Sequence, residues 1–358
     1  MKVLIFTETK IGEGHLQAAR AVAFELENLL GRKVKILSGL YTIHPLFEWL
    51  ATNTYFLLMQ SFPWLWRFIY RRVNRRSFWQ TWLFAKKLEK VLAEEEPDLV
   101  ICTHAACISA LGYLKQKHRF RFRLAAIFTD FDFHPFFVTP LVDYYFVPHA
   151  GVKEKLIKQF GIAETNIFDY GIPVRPMFDG QRSKAVGLPL LPKEKIKLLI
   201  LGGAQGLGPL EKLIHIFQPY QDRFQLIVIT GKNRKLYEKL TEKRYDHALI
   251  LGYEERLDQW FCAVDLILTK PGGITISEAI ALRKPCILLR PIPGHEEANR
   301  DFLIKEGLCI DAGPLDRLPV KLLSLLQDDG HFQRWHDRLE QFHRAGSARR
   351  IAEKLTVG

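Results

Sequence analysis

Residues 2–16 read KVLIFTETKIGEGHL and residues 197–206 read KLLILGGAQG. Each opens on a short apolar run, Val3–Phe6 and Lys197–Leu201, that breaks into glycines before a helix-like segment, which is Leu16–Leu30 in the first case. A continuous apolar run of this length reads as a strand covered on both faces, as in a parallel sheet flanked by helices. Glycines at the strand-to-helix turn let the backbone approach a ligand closely, and the helix start favours negative charge there.

Working outward, Leu99–Cys102, Leu124–Phe128 and Tyr144–Val147 continue the first series of strands, with amphipathic segments between them. Leu226–Thr230, Ala248–Leu251, Leu266–Thr269 and Cys286–Leu289 continue the second. This is the pattern of βα units, so each half reads as an α/β domain. GIPVRP (Gly171–Pro176) and the Pro, Gly and Lys-rich passage Gly180–Lys195 interrupt the periodicity and mark a linker. The expected domains are therefore 1–178 and 179–334, with terminal helices over His331–Leu355 and the last, at about 335–358, packing back on the first domain. With 358 residues, 48% of them apolar, the chain can bury two cores of roughly 100–200 residues each.

The net charge of +12 calls for an anionic partner, and its distribution narrows the choice. Between Trp49 and Leu88 there is no Asp or Glu, while Arg67, Arg71, Arg72, Arg75, Arg76, Lys86 and Lys87 supply seven positive charges. The stretch Tyr41–Leu88 also carries five of the seven tryptophans, Trp64 and Trp66 among them. Tryptophan with arginine suits a lipid headgroup layer, so Trp64, Trp66, Arg67, Arg71, Arg72, Arg75 and Arg76 are read as a face that docks on an anionic membrane surface. The same residues admit aromatic core packing at helical spacing, or stacking on single-stranded nucleic acid; docking with part of the rings in the core is preferred, and no nucleic-acid partner is expected. Glu48, Asn53, Gln60, Pro63 and Arg67 break the longest apolar stretch below the roughly 18 residues a spanning helix needs. The first residues turn charged and glycine-rich too soon for a signal peptide, and the odd number of cysteines, five, argues against a disulfide framework. A peripheral protein on the cytoplasmic face of the cell membrane is the resulting expectation.

Four loops carry the chemistry. The first ends in Gly14-His15, a glycine turn followed by an imidazole suited to act as a base near neutral pH. The second, Gly203-Ala204-Gln205-Gly206, offers backbone amides to a diphosphate, and lacks the lysine ending of a P-loop. The third, TKPGGITISE (Thr269–Glu278), sets Lys270, Gly272 and Gly273 ahead of Thr275 and Glu278, three apart on one helix face. Thr275 there meets a phosphate and Glu278 the ribose hydroxyls, unless the pair is a capping box. The fourth, PGHEEAN, places His295, Glu296 and Asn299 at a helix start, where Glu296 and Asn299 read hydroxyls or the acids merely serve the helix dipole. Asp130-Phe131-Asp132 has the form of a metal-chelating DxD, but glycine loops and helix termini already stabilise a leaving group, so no metal is expected.

Taken together, GEGH, TDFDFH (Thr129–His134), GIPVRP, GGAQG, GKN (Gly231–Asn233), TKPGGITISEA and PGHEEAN resemble the plant monogalactosyldiacylglycerol synthases and bacterial processive diacylglycerol glucosyltransferases of glycosyltransferase family 28, across nearly the whole chain. The resemblance implies a GT-B fold, two Rossmann-like domains facing each other across a cleft. It further implies metal-independent, inverting transfer of a hexose from UDP-glucose or UDP-galactose to diacylglycerol, without a cofactor. Carried over, His15 is the general base with Asp130 and His134 near it. Gly203–Gly206, Asn233, Thr275 and Glu278 hold the nucleotide, Lys270 supports the phosphates, and Glu296 and Asn299 face the sugar or ribose. The chain departs from the family in carrying His295 where Gln is usual and Phe136-Phe137 where Trp is usual. A UDP-sugar epimerase and a silent UDP-sugar sensor at the membrane are the rival functions; consumption of donor without lipid, and binding without consumption, distinguish them.

Overall fold

The computed structural model describes residues 1–10, 13–72, 78–117, 120–179, 188–189 and 191–357. They form two compact units: Met1–Pro176 with Ile292–Asn299 and Gly346–Gly358, and Met177–Pro291 with Arg300–Ala345. The chain thus passes from the first unit to the second at Pro176, ahead of the passage expected as a linker, of which 180–187 and 190 lie outside the described residues.

In the first unit β1 (Val3–Thr7), β2 (Lys35–Ser38), β3 (Leu99–Cys102), β4 (Arg123–Ile127), β5 (Tyr144–Phe146) and β6 (Ile167–Phe168) form a parallel sheet in the order β2-β1-β3-β4-β5-β6. Helices α1 (Glu13–Leu30), α2 (Gly39–Ile43), α3 (Pro45–Ser61), α4 (Pro63–Arg72), α5 (Phe78–Glu95), α6 (Ala105–Gln116) and α7 (Ala150–Phe160) connect them. All five residues of β1 and all four of β3 are buried, because helices cover both faces of the sheet.

The second unit holds β7 (Ile196–Leu201), β8 (Phe224–Ile229), β9 (Ala248–Leu251), β10 (Leu266–Thr269), β11 (Cys286–Leu288) and β12 (Cys309–Asp311), parallel in the order β12-β11-β10-β7-β8-β9. Its helices are α8 (Leu210–Phe217), α9 (Arg234–Glu242), α10 (Leu257–Ala263), α11 (Gly273–Ala281), the later turns of α12 (His295–Lys305), α13 (Leu318–Gln327) and α14 (Asp329–Phe342). The last helix, α15 (Ser347–Val357), belongs to the first unit. Its Ala348, Ile351, Ala352 and Leu355 share a core with Ala19, Val22 and Leu26 of α1. The alanines allow close approach of the two helices, and Arg123 donates to the Leu355 carbonyl at the end of α15 at 3.1 Å.

Strand order places the ligand-binding ends. In an open parallel sheet the crevice opens at the carboxyl ends of neighbouring strands whose connections leave in opposite directions. Those pairs are β1 and β3 in the first unit, and β7 and β10 in the second. The GEGH loop follows β1, Thr103 and His104 follow β3, GGAQG follows β7 and KPGG follows β10.

Candidate active site

At the β1 and β3 ends, Gly14 and His15 lie in the first turn of α1, while Gly12 is outside the described residues. The His15 Nδ1 lies 3.0 Å from the Thr103 carbonyl and 2.7 Å from the Thr129 hydroxyl. A carbonyl oxygen only accepts, so Nδ1 carries the proton and donates it. In the neutral ring the lone pair then resides on Nε2, the atom a general base requires. Thr103 is itself fixed: its hydroxyl donates across 2.8 Å to Thr7 Oγ1 and lies 3.1 Å from the His15 carbonyl. The His104 ring stands edge-on to that of His15, with centroids 4.8 Å apart.

Burial lowers the pKa of His15 below the usual imidazole value; the Asp130 carboxylate opposes that shift, His295 adds to it, and the Thr103 hydrogen bond opposes it. His15 is therefore neutral, and able to accept a proton, at neutral pH. Asp130 sits on a tightly held turn after β4. Its Oδ1 accepts from Asn299 Nδ2 at 2.7 Å, and the next amide, Phe131 N–H, donates to Asn299 Oδ1 at 2.8 Å. Asp132 points elsewhere, accepting from Lys155 Nζ at 2.7 Å and from the Phe133 amide at 2.8 Å. The two carboxylates of the DxD form thus serve different partners, and among the described residues no three His, Cys, Asp or Glu side chains are grouped to hold a metal ion. His134 is half-buried on the same turn, and its carbonyl accepts from the Phe137 amide at 3.0 Å.

PGHEEAN also belongs here. Ile292–Asn299 groups with the first unit, and there Glu296 is buried and accepts from the Ile292 amide at 2.8 Å. Glu297 accepts from the Gly294 amide at 3.1 Å and pairs with Arg67 of α4. The Tyr55 hydroxyl of α3, raised to about 12 by burial and then by Glu296 and Asp130, lies in the same neighbourhood.

In the second unit, GGAQG and GKN pack backbone to backbone. Lys232 N–H donates to the Ala204 carbonyl at 2.8 Å. A Cβ on Gly206, at φ +60°, would fall 2.0 Å from the Thr230 carbonyl oxygen, and one on Gly231, at φ +58°, would fall 2.5 Å from that of Ala204. Only glycine fits either place. Lys270, after β10, lies over this loop, since a Cβ on Gly203 would stand 4.0 Å from its Nζ. Gly272 is the N-cap of α11, which puts Gly273 first and Thr275 third in the helix. Thr275 is therefore no capping-box residue, because that role requires the N-cap position. Glu278, one turn on, is buried. Gly203–Gly206, Lys270, Gly272, Gly273 and the start of α11 gather at the carboxyl ends of β7 and β10, where backbone amides, an ammonium and a helix N-terminus are of the kind that can meet an anion. Asn233 borders this group as the N-cap of α9, its Oδ1 accepting from the Leu236 amide at 3.1 Å.

The docking residues divide. Trp64 of α4 is 68% exposed, with Leu46, Trp49, Leu50 and Leu57 of α3, Phe62 between the two helices and Phe68 of α4 also exposed. Trp66 packs edge-on to Tyr55 at 5.2 Å between centroids, and Arg67 is half-exposed beside Glu297. The Arg71 and Arg72 side chains, and Arg75 and Arg76 altogether, lie outside the described residues. No described helix is long and apolar enough to cross a membrane.

Sequence reasoning missed Thr103 and His104 and gave Thr129 no role although it opens TDFDFH; the strand order β2-β1-β3-β4 is what brings them beside His15. It also missed Glu8, a fully buried carboxyl bound by the Leu40 amide at 3.1 Å. Burial above all, and Glu48 beside it, push its pKa up to about 8 against the lowering effect of that hydrogen bond.

Residues 15–174 match the monogalactosyldiacylglycerol (MGDG) synthase family, and residues 197–331 the glycosyltransferase family 28 C-terminal domain. The processive diacylglycerol beta-glucosyltransferase of Bacillus subtilis (strain 168) is 32% identical over 374 residues, covering 99% of this chain and 94% of that protein. The protein of the same name from Bacillus cereus (strain AH187) is 31% identical, covering 99% and 93%. The crystal structure of MurG from Acinetobacter baumannii superposes with a TM-score of 0.65 over the full length of both chains at 13% identity, a likeness of fold alone. The fold is GT-B, and the chain belongs to glycosyltransferase family 28, alongside the monogalactosyldiacylglycerol synthases and processive diacylglycerol glucosyltransferases.

Proposed function

We propose that this chain transfers a hexose, glucose or galactose, from a UDP-sugar to the free hydroxyl of diacylglycerol, making a glycolipid on the cytoplasmic face of a membrane to which it binds peripherally. The observation that carries the reading is the setting of His15, whose Nδ1 lies 3.0 Å from the Thr103 carbonyl and 2.7 Å from the Thr129 hydroxyl, which keeps the ring proton on Nδ1 and leaves the Nε2 lone pair for an incoming hydroxyl. In the reaction Nε2 takes the acceptor proton, the acceptor oxygen bonds to the anomeric carbon on the face opposite the diphosphate, and the bond from that carbon to the phosphate oxygen breaks. UDP leaves with the electron pair. The backbone amides of Gly203–Gly206, the Lys270 ammonium and the start of α11 offset its charge, work that needs no metal or cofactor. Glu278 receives the ribose hydroxyls, and His295 and Glu296 stand towards the sugar.

The acceptor is brought to the enzyme by the exposed apolar face of α3 and α4, with the arginines of 67–76 meeting anionic headgroups. The names and near-full-length coverage of the Bacillus relatives support a diacylglycerol acceptor. The test is incubation with radiolabelled UDP-glucose or UDP-galactose and vesicles containing diacylglycerol, followed by lipid extraction. Labelled glycosyl diacylglycerol supports the reading. Donor consumed equally without lipid, or bound and never consumed, refutes it.

A further inference from the structure

We propose that Asn299 is a positioning residue of this reaction, holding the Asp130–Phe131 turn so that the Asp130 carboxylate faces His15, rather than a reader of sugar or ribose hydroxyls. The inference rests on the reading of His15 as the base. Asn299 is completely buried, and a buried carboxamide is retained only where both ends are bound. Here Nδ2 donates to Asp130 Oδ1 at 2.7 Å while Oδ1 accepts from Phe131 N–H at 2.8 Å. Asparagine alone fits this pair of contacts. Aspartate cannot donate to the carboxylate, glutamine is one methylene too long, and alanine leaves both groups unbound in a dry place.

The rest of the turn is held independently. The Phe131 carbonyl accepts from His149 Nε2 at 2.8 Å, its ring is buried, and Asp132 is tied to Lys155. Asn299 supplies the side-chain grip on the one carboxylate of the turn that acts on His15. That action opposes the desolvation of the imidazolium formed when Nε2 takes the acceptor proton. Among the described residues, the titratable groups that act on the pair are His104 after β3, His295 in the first turn of α12 and Tyr55 of α3.

The experiment is steady-state transfer across a pH series with UDP-sugar and diacylglycerol vesicles, for the wild type, Asn299→Ala, Asn299→Asp and Asp130→Asn. Asn299→Ala is expected to lower kcat by about 10²-fold, as for a group displaced by about an ångström, with the KM for the UDP-sugar within about twofold of wild type. Its acid limb, and that of Asp130→Asn, move to lower pH because the imidazolium loses its partner. The limb of Asn299→Asp moves to higher pH because a second carboxylate is added nearby. The double variant Asn299→Ala, Asp130→Asn is no slower than the worse single one, since both remove the same interaction. A donor KM raised about tenfold or more, with the acid limb unmoved, overturns the proposal, as do fully additive losses. If the Asn299 variants do not fold, an unmoved limb in Asp130→Asn overturns it instead. A wild type that transfers nothing refutes the function and not this inference.

Discussion

Replacing Gly206 with alanine tests the donor cradle at a single atom. The residue holds φ +60°, and its new methyl would stand 2.0 Å from the Thr230 carbonyl oxygen and 2.8 Å from Asn233 Cβ. The left-handed backbone alone costs an alanine roughly 1–2 kcal/mol. An ordinary carbon–oxygen contact needs about 3.3 Å, so GGAQG or the end of β8 must retreat by more than an ångström. The obstacle is backbone, which has no rotamer to turn aside. A shift of that size moves the amides that would meet the diphosphate, and about 10²-fold is the expected loss of UDP affinity. The melting temperature should fall by about 2–8 °C. The assay is titration calorimetry with UDP beside thermal unfolding, with Gly252→Ala as control, since nothing lies within 4 Å of the methyl added there. Affinity within about threefold of wild type for Gly206→Ala, in a folded protein, would refute the cradle.

Three further outcomes are expected. Because burial lowers the pKa of His15, turnover should persist as pH falls through the usual imidazole range, about 6.5, and be lost only at lower pH; loss centred above it contradicts that effect of burial. Glu8 binds its proton up to about pH 8 in the folded chain and releases it near 4.5 when unfolded. Its folded pKa is thus raised, so it destabilises the fold progressively as pH rises from about 4.5 to 8, by up to a few kcal/mol. Glu8→Gln should then gain stability over wild type at pH 8 but not at pH 4, and an equal effect at both refutes this. Vesicle sedimentation should need anionic lipid and weaken with salt; reversing Arg71, Arg72, Arg75 and Arg76 to Glu, at about 1 kcal/mol per basic residue, should reduce it by ~10³-fold or more, and unchanged binding refutes the docking face.

Central strands were legible from the residues alone, because burial on both faces leaves a near-continuous apolar run, as in LIL of β10 and LIVI of β8. Three of the four edge strands, β2, β6 and β12, were not. β2 is half-exposed and opens on a lysine, β6 has two residues, and β12 sets only Cys309 and Ile310 before Asp311, too short an apolar run to register. The glycine loops could be placed, because a strand, a glycine turn and a helix start are local. The partners of His15 could not: Thr103 lies 88 residues away and is brought beside it by the pairing of β1 with β3. Trp64 and Trp66 stood equal in the sequence, yet two residues turn a helix through about 200°, so one faces solvent and the other packs on Tyr55. Nothing local could show that the first turn of α12 groups with the first unit, where Asn299 meets Asp130.

The most direct measurement compares His15→Ala with wild type in two assays on one preparation, calorimetric affinity for UDP and formation of labelled glycosyl diacylglycerol in vesicles. Equal affinity with loss of nearly all transfer is the predicted result. Transfer at the wild-type rate, or affinity and transfer lost together, would contradict the assignment of the proton-accepting atom to His15.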